Sequence, residues 1–114
     1  MYKIYHNPRC SKSRQALNIL REKGIEPEII EYLKNPLPET KIREILQILN
    51  KKPLEICRTK EKLFRELGLS KESSNTELIS AMAQNPKLIE RAIVIKNNEK
   101  GVVARPPENV LELF

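Results

Sequence analysis

The order of strand-like and helix-like segments predicts an α/β fold, a mixed four-stranded sheet with flanking helices. Three observations carry this. A strand-like run at residues 2–5 leads into a helix-like run and then a second strand-like run, a unit whose parallel crossover is right-handed. Helical periodicity fills the middle of the chain. Two short apolar runs near the C-terminus flank a polar loop, the pattern of an antiparallel hairpin. The N-terminal half supplies a parallel pair and the C-terminal half an antiparallel pair, and one sheet accommodates both.

The elements follow in order. Tyr2-Lys3-Ile4-Tyr5 reads as the first strand. Residues 11–23 turn Ala16, Leu17 and Leu20 to one side, and Gly24 suits the C-terminal cap. A second strand is expected at residues 28–32, after which Asn35-Pro36-Leu37-Pro38 breaks the pattern. Ile42, Ile45, Leu46 and Leu49 stand at i, i+3, i+4 and i+7 of an amphipathic helix that Lys51-Lys52-Pro53 ends. A shorter helix carries Leu63, Phe64 and Leu67 and stops at Gly68. Ser74-Asn75-Thr76-Glu77 has the spacing of a capping box and leads into Leu78, Ile79 and Met82, with Asn85-Pro86 as the stop. Residues 92–95 and 102–104 are strands joined by a loop at 97–101, and residues 107–113 form a last helix.

At 114 residues the chain is one domain, long enough to bury a core without disulfide or metal staples. Its 39% apolar and 32% charged residues fit a globular protein, and no apolar run approaches a membrane span. Two cysteines, Cys10 and Cys57, make no secreted-type framework, and one histidine leaves too few ligands for a zinc pattern. A reducing cytoplasm is the expected location. The net charge of +6 is interleaved with Glu along most of the chain, and aromatics are only 4%, which disfavours direct nucleic-acid binding.

Chemistry concentrates in His6-Asn7-Pro8-Arg9-Cys10-Ser11-Lys12-Ser13-Arg14. A cysteine on a strand-to-helix turn meets helical N–H groups that have no intrahelical acceptor. Those amides and the helix dipole stabilise an anion, either the thiolate or a bound oxyanion. Ser11, Ser13, Lys12 and Arg14 add to the same field, although Arg9 and Lys12 also fit plain solvated positions. A thiol of pKa near 8.5 is only about 3% thiolate at pH 7, whereas a pKa of ~6.5 makes it roughly 75%. The motif has no second cysteine of a Cys-x-x-Cys pair, so an external thiol is the expected resolving partner. Cys57, beside Ile56, reads better as a small apolar side chain than as that partner.

Tyr5-His6-Asn7-Pro8-x-Cys10 followed by Ser13-Arg14 resembles the glutaredoxin-dependent arsenate reductase family. Cys57-Arg58 before Glu66-Leu67-Gly68-Leu69 resembles the segment of that family's first essential arginine. Asn85-Pro86-x-Leu88-Ile89-x-Arg91 resembles the segment of the second, and Ala104-Arg105-Pro106-Pro107-Glu108 that of the third. The resemblance implies a thioredoxin-like sheet (βαβ…ββα) within a single domain, 1–114, carrying a helical insertion at about 36–90 between the second and third strands. It implies Cys10 as nucleophile toward arsenate or a similar oxyanion, with His6 helping to keep it ionised. Arg58, Arg91 and Arg105 would bind the oxyanion, and Ser13 and Arg14 would help hold that site. No cofactor is tightly bound on this reading: glutathione is a co-substrate and glutaredoxin clears the mixed disulfide.

Arginine suits the task because its planar fork donates paired hydrogen bonds and keeps its charge. At the place where the family usually has a cis-proline, this chain has Ala92. A cis bond costs about 2.5–4 kcal/mol before alanine against about 0.5–1 before proline. Two conformations therefore stay open, a trans bond with Arg91 directed elsewhere or a retained cis bond. Two other functions share the pattern: a glutathione-linked thiol reductase acting on another substrate, and a thiol-stress regulator that binds RNA polymerase without catalysis. The regulator's usual Cys-x-x-Cys switch is broken here by Ser13.

Overall fold

The computed structural model describes residues 1–114. Its packing divides into two compact units, residues 1–35 with 91–114, and residues 36–90.

The first unit is built on a sheet of β1 (Tyr2–Tyr5), β2 (Glu28–Ile30), β3 (Ile93–Lys96) and β4 (Lys100–Val103), in the spatial order β2-β1-β3-β4. β1 runs parallel to β2 and antiparallel to β3, and β3 is antiparallel to β4. This is the mixed sheet expected, and its topology is thioredoxin-like. The helix α1 (Ser11–Glu22) provides the crossover between β1 and β2. Register puts Ile4 opposite Val94 and Val94 opposite Val102, so these residues share one face. Ala16, Leu17 and Leu20 of α1 join Ile4, Val94, Ala92, Ala104, Val110 and Leu113 in one buried cluster. The apolar stripe of α1 therefore lies where its periodicity placed it. Gly24, at φ +78°, donates its N–H to the Arg21 carbonyl and closes the helix.

Strand limits shift by a few residues. β2 is shorter than its apolar run, β3 begins at Ile93, and β4 begins at Lys100. The last shift follows from turn chemistry. Asn97 and Asn98 both take positive φ, and the Glu99 N–H bonds the Lys96 carbonyl at 3.1 Å, so a tight turn pairs Lys96 with Lys100. The C-terminal segment, Pro107–Leu113, is a 3-10 helix rather than an α-helix. Pro106 and Pro107 supply no N–H at its start, and the Asn109 N–H bonds back to the Pro106 carbonyl, three residues away.

The second unit contains α2 (Glu39–Leu49), α3 (Pro53–Ile56), α4 (Lys62–Glu66), α5 (Asn75–Gln84) and a 3-10 turn, Pro86–Leu88. Ile42, Ile45, Leu46 and Leu49 of α2 and Leu78, Ile79 and Met82 of α5 are all buried. α2 ends through Asn50 in the left-handed region, and Pro53 does not merely stop it but opens α3 as its first residue. In α4 only Phe64 is buried; Leu67, expected on the same apolar face, is 45% exposed because the helix is too short to carry it inward. At α5, the Glu77 N–H donates to Ser74 Oγ (3.1 Å) and the Ser74 N–H to Glu77 Oε1 (2.9 Å), the reciprocal cap read from the sequence.

Candidate functional site

β1 ends at Tyr5, and five residues later Cys10 is the N-cap of α1. The short connection is tightly hydrogen-bonded. The Cys10 N–H donates to the Asn7 carbonyl at 3.0 Å, and the Arg9 N–H donates to Asn7 Oδ1 at 3.0 Å. Nη1 of Arg14 donates to the Pro8 carbonyl at 2.8 Å and pins the loop to the first turn of the helix. Cys10 itself is extended (φ −95°, ψ 122°) and half-buried.

Burial pushes the Cys10 thiol up, yet its pKa is held below the ordinary range. A hydrogen bond from the Arg91 side chain, the backbone N–H of Ser13, the Arg91 charge and the backbone N–H of Lys12 together outweigh the desolvation. Lys12 and Ser13 are the second and third residues of α1, so their amides are among those without an intrahelical acceptor. No acidic residue stands in the first turn to oppose them. The anion site expected from the sequence is therefore present, with a sulfur at its focus.

His6 and Ser13 are both buried, and His6 Nδ1 lies 2.6 Å from Ser13 Oγ. The same oxygen accepts the Asn7 N–H at 3.1 Å. Burial lowers the His6 pKa; Glu31 opposes that, and Arg21 and Arg14 reinforce it. A neutral imidazole results at pH 7. The groups that lower Cys10 do not include His6, which instead braces the start of α1 through Ser13. The Ser13 hydroxyl and the Arg14 guanidinium, both expected beside an oxyanion, are occupied within the loop, so the part of Ser13 that acts on Cys10 is its amide.

Arg91 and Arg105 flank β3 and β4 in the same unit as Cys10. The Arg91–Ala92 peptide bond is cis, the second of the two conformations left open, and Arg91 bonds the Cys10 sulfur. Arg105 is exposed just beyond β4 and precedes a cis bond to Pro106. Arg58 belongs to the other unit, one residue after a bridge between Cys57 and Ile89. Its side chain meets Glu61 at 3.1 Å and Glu90 at 3.7 Å. Burial, helped by the Glu90 charge, pushes the Cys57 thiol up to about 11, which makes it a poor nucleophile.

Sequence reasoning missed Glu61 and Glu90. The i, i+3 spacing of Arg58 and Glu61 was a usable signal, whereas Glu90 comes beside Arg58 only through the Cys57–Ile89 bridge. No cluster of His, Cys, Asp and Glu has the makings of a metal site.

Comparison with known proteins gives a consistent picture. The sequence model of the ArsC family matches residues 5–113. The chain is 51% identical over 113 residues to the uncharacterized protein YfgD of Escherichia coli K12, covering 97% of this chain and 94% of that one. It is 45% identical to an arsenate reductase of Neisseria meningitidis, covering 95% and 93%. The solved arsenate reductase from Vibrio cholerae superimposes with a TM-score of 0.94 at 42% identity, covering 99% of this chain and 97% of that one.

Proposed function

This chain belongs to the ArsC family, and on that premise we propose that it is an arsenate reductase whose nucleophile is Cys10. The observation that carries the reading is the Cys10 sulfur held anionic by the Arg91 side chain and by the amides of Ser13 and Lys12. A thiolate there attacks the arsenic of arsenate, an oxygen leaves as water, and an arsenic–sulfur bond forms. Arg91, Arg105 and Arg58 are the residues assigned to the oxyanion, because they stand in the family's three arginine segments. A charged arginine hydrogen bond contributes on the order of 1.5–3 kcal/mol, enough to favour charge building on the oxygens in the transition state.

Reduction of arsenic(V) to arsenic(III) takes two electrons, and two thiols supply them by becoming one disulfide. Cys10 is one candidate donor, and glutathione is the other. A second internal thiol is not offered by Cys57, whose proton is held too firmly at neutral pH. Glutaredoxin then reduces the mixed disulfide and restores the Cys10 thiolate. The buried Ser13, bonded to His6, also supports a one-cysteine mechanism over a dithiol switch.

The test is a coupled assay with arsenate, glutathione, glutaredoxin and a glutathione-reducing system, with mass spectrometry on Cys10. Wild-type protein should form arsenite and carry a glutathione or arsenic adduct on Cys10. The Cys10→Ser protein should show only the background rate. Normal turnover by Cys10→Ser would overturn the assignment, and a glutathione adduct on Cys10 without arsenite formation would point to another substrate of the same thiol.

A further inference from the structure

Arg58 is held by a set of groups that the family pattern does not include. Its N–H donates to the Leu88 carbonyl at 2.6 Å, and the Glu90 N–H donates to the Ile56 carbonyl at 2.8 Å, so the backbone sets residues 58 and 90 side by side. Glu61 is fixed one turn later, its own N–H bonded to the Arg58 carbonyl at 3.0 Å. From these anchors the Glu61 carboxylate lies 3.1 Å from Arg58 Nη1, and Glu90 Oε1 lies 3.7 Å from Nε. The Lys87 carbonyl accepts a second, longer bond from Nη1 at 3.4 Å, and the Lys87 ammonium sits 3.7 Å from Glu61. The side chains of Arg58, Glu61 and Glu90 are each only 21–24% exposed, so solvent screens the pairs less than it would on an open surface.

This arrangement has two consequences. The Nη1 and Nε edges of the guanidinium are taken, and Nη2 has no hydrogen bond within this unit. The plane of the fork is thereby set before any ligand arrives, with Nη2 as the donating corner. The charges also balance, since two cations, Arg58 and Lys87, face two carboxylates, Glu61 and Glu90. Attraction by net charge is small, and directed hydrogen bonding from a fixed corner is what remains. An arginine freed of these contacts would have to be ordered at the moment of binding, at the expense of affinity.

We propose that Glu61 and Glu90 are positioning residues that set the Arg58 guanidinium for an oxyanion, with Glu61 the principal one. The inference rests on the assignment of Arg58 made above. It predicts that substrate binding, rather than the chemistry of the sulfur, depends on these carboxylates.

The experiment compares Glu61→Ala, Glu61→Gln, Glu90→Gln and Arg58→Ala in the coupled arsenate assay, with the alkylation rate of Cys10 as an independent readout. Glu61→Ala should raise the KM for arsenate about fivefold or more, the scale of one lost charge-assisted contact. Its kcat should stay within about twofold of wild type, as should its Cys10 alkylation rate, because Glu61 does not touch the sulfur. Glu61→Gln keeps an acceptor for Nη1 and should recover much of the KM; it also reports if the alanine variant fails to fold. Glu90→Gln should have the smaller effect, matching its longer contact. An unchanged KM in Glu61→Ala beside a raised KM in Arg58→Ala would overturn the positioning role while leaving Arg58 in place. A normal KM in Arg58→Ala would remove both, with the Cys10 mechanism still standing. If the wild-type protein does not turn over arsenate, calorimetric titration with arsenate decides: weaker binding in Glu61→Ala upholds the inference, and equal or absent binding in both proteins overturns it.

Discussion

At the scale of single residues, the two cysteines are sorted by their surroundings. Cys10 has burial opposed by Arg91 and by two helix amides, and its ionised form is favoured. Cys57 has burial reinforced by Glu90, and its neutral form is favoured up to about pH 11. Iodoacetamide labelling of the native protein at pH 7–8, read by mass spectrometry, should therefore modify Cys10 and spare Cys57. The pH midpoint of Cys10 alkylation should lie below the ordinary thiol value of about 8.5, and in Arg91→Ala it should move upward. Arsenate turnover by that variant should fall about 10- to 100-fold, the range expected when one charged hydrogen bond is removed. An Arg91→Ala protein with an unshifted midpoint would mean that the helix amides alone hold the thiolate. The residue identities at this site were legible because a cysteine between a strand and a helix has few bland explanations. The bond between Arg91 and Cys10 was not, since nothing local to either residue records the pairing.

At the scale of elements, local rules carried most of the reading. The capping box at Ser74 and Glu77, the glycine after α1 and the apolar stripe of α2 are all set by neighbours within a few residues, and all are present. Ser74→Ala should cost about 1 kcal/mol, measured by urea unfolding, because an N-terminal amide of α5 loses its acceptor. A cost near zero would show that Glu77 and solvent suffice to cap that end. The differences arose where a segment is short. α3 has one turn, beginning at Pro53, and the periodicity of four residues is too brief to declare a helix. The segment at Pro107–Leu113 has helical spacing, but spacing alone does not separate a 3-10 ladder from an α ladder.

At the scale of the whole molecule, the buried neutral His6 ties stability to pH. Its folded pKa is lowered, so the unfolded chain binds a proton more readily than the folded one. The stability that this residue contributes is complete above the unfolded value of about 6.5 and is lost as pH falls through the lower folded value. Thermal unfolding followed across this range should show a decline beginning below about pH 6.5. It should come ahead of the decline caused by Glu26 and Glu77, whose pKa values are lowered from the carboxylate range. His6→Gln should remove the first decline and leave the second. An identical profile in the variant would mean that His6 is protonated in the fold as easily as in the unfolded chain. The surplus of positive charge, +6 over the chain, has a local counterpart at Cys10, where α1 opens without a single acidic side chain.

Sequence by itself determined the element order, the mixed sheet, the apolar faces of α1, α2 and α5, and the reactive cysteine at a helix start. Each of these depends on interactions within a turn or two of chain, or on alternation along a strand, and such interactions are written in consecutive residues. Only the tertiary structure decided that Arg91 is the side chain on the Cys10 sulfur, that Ser13 turns inward to His6, and that Glu61 and Glu90 hold Arg58. Those are choices among several nearby partners of similar chemistry, and they are made by which strand lies beside which and which face is buried.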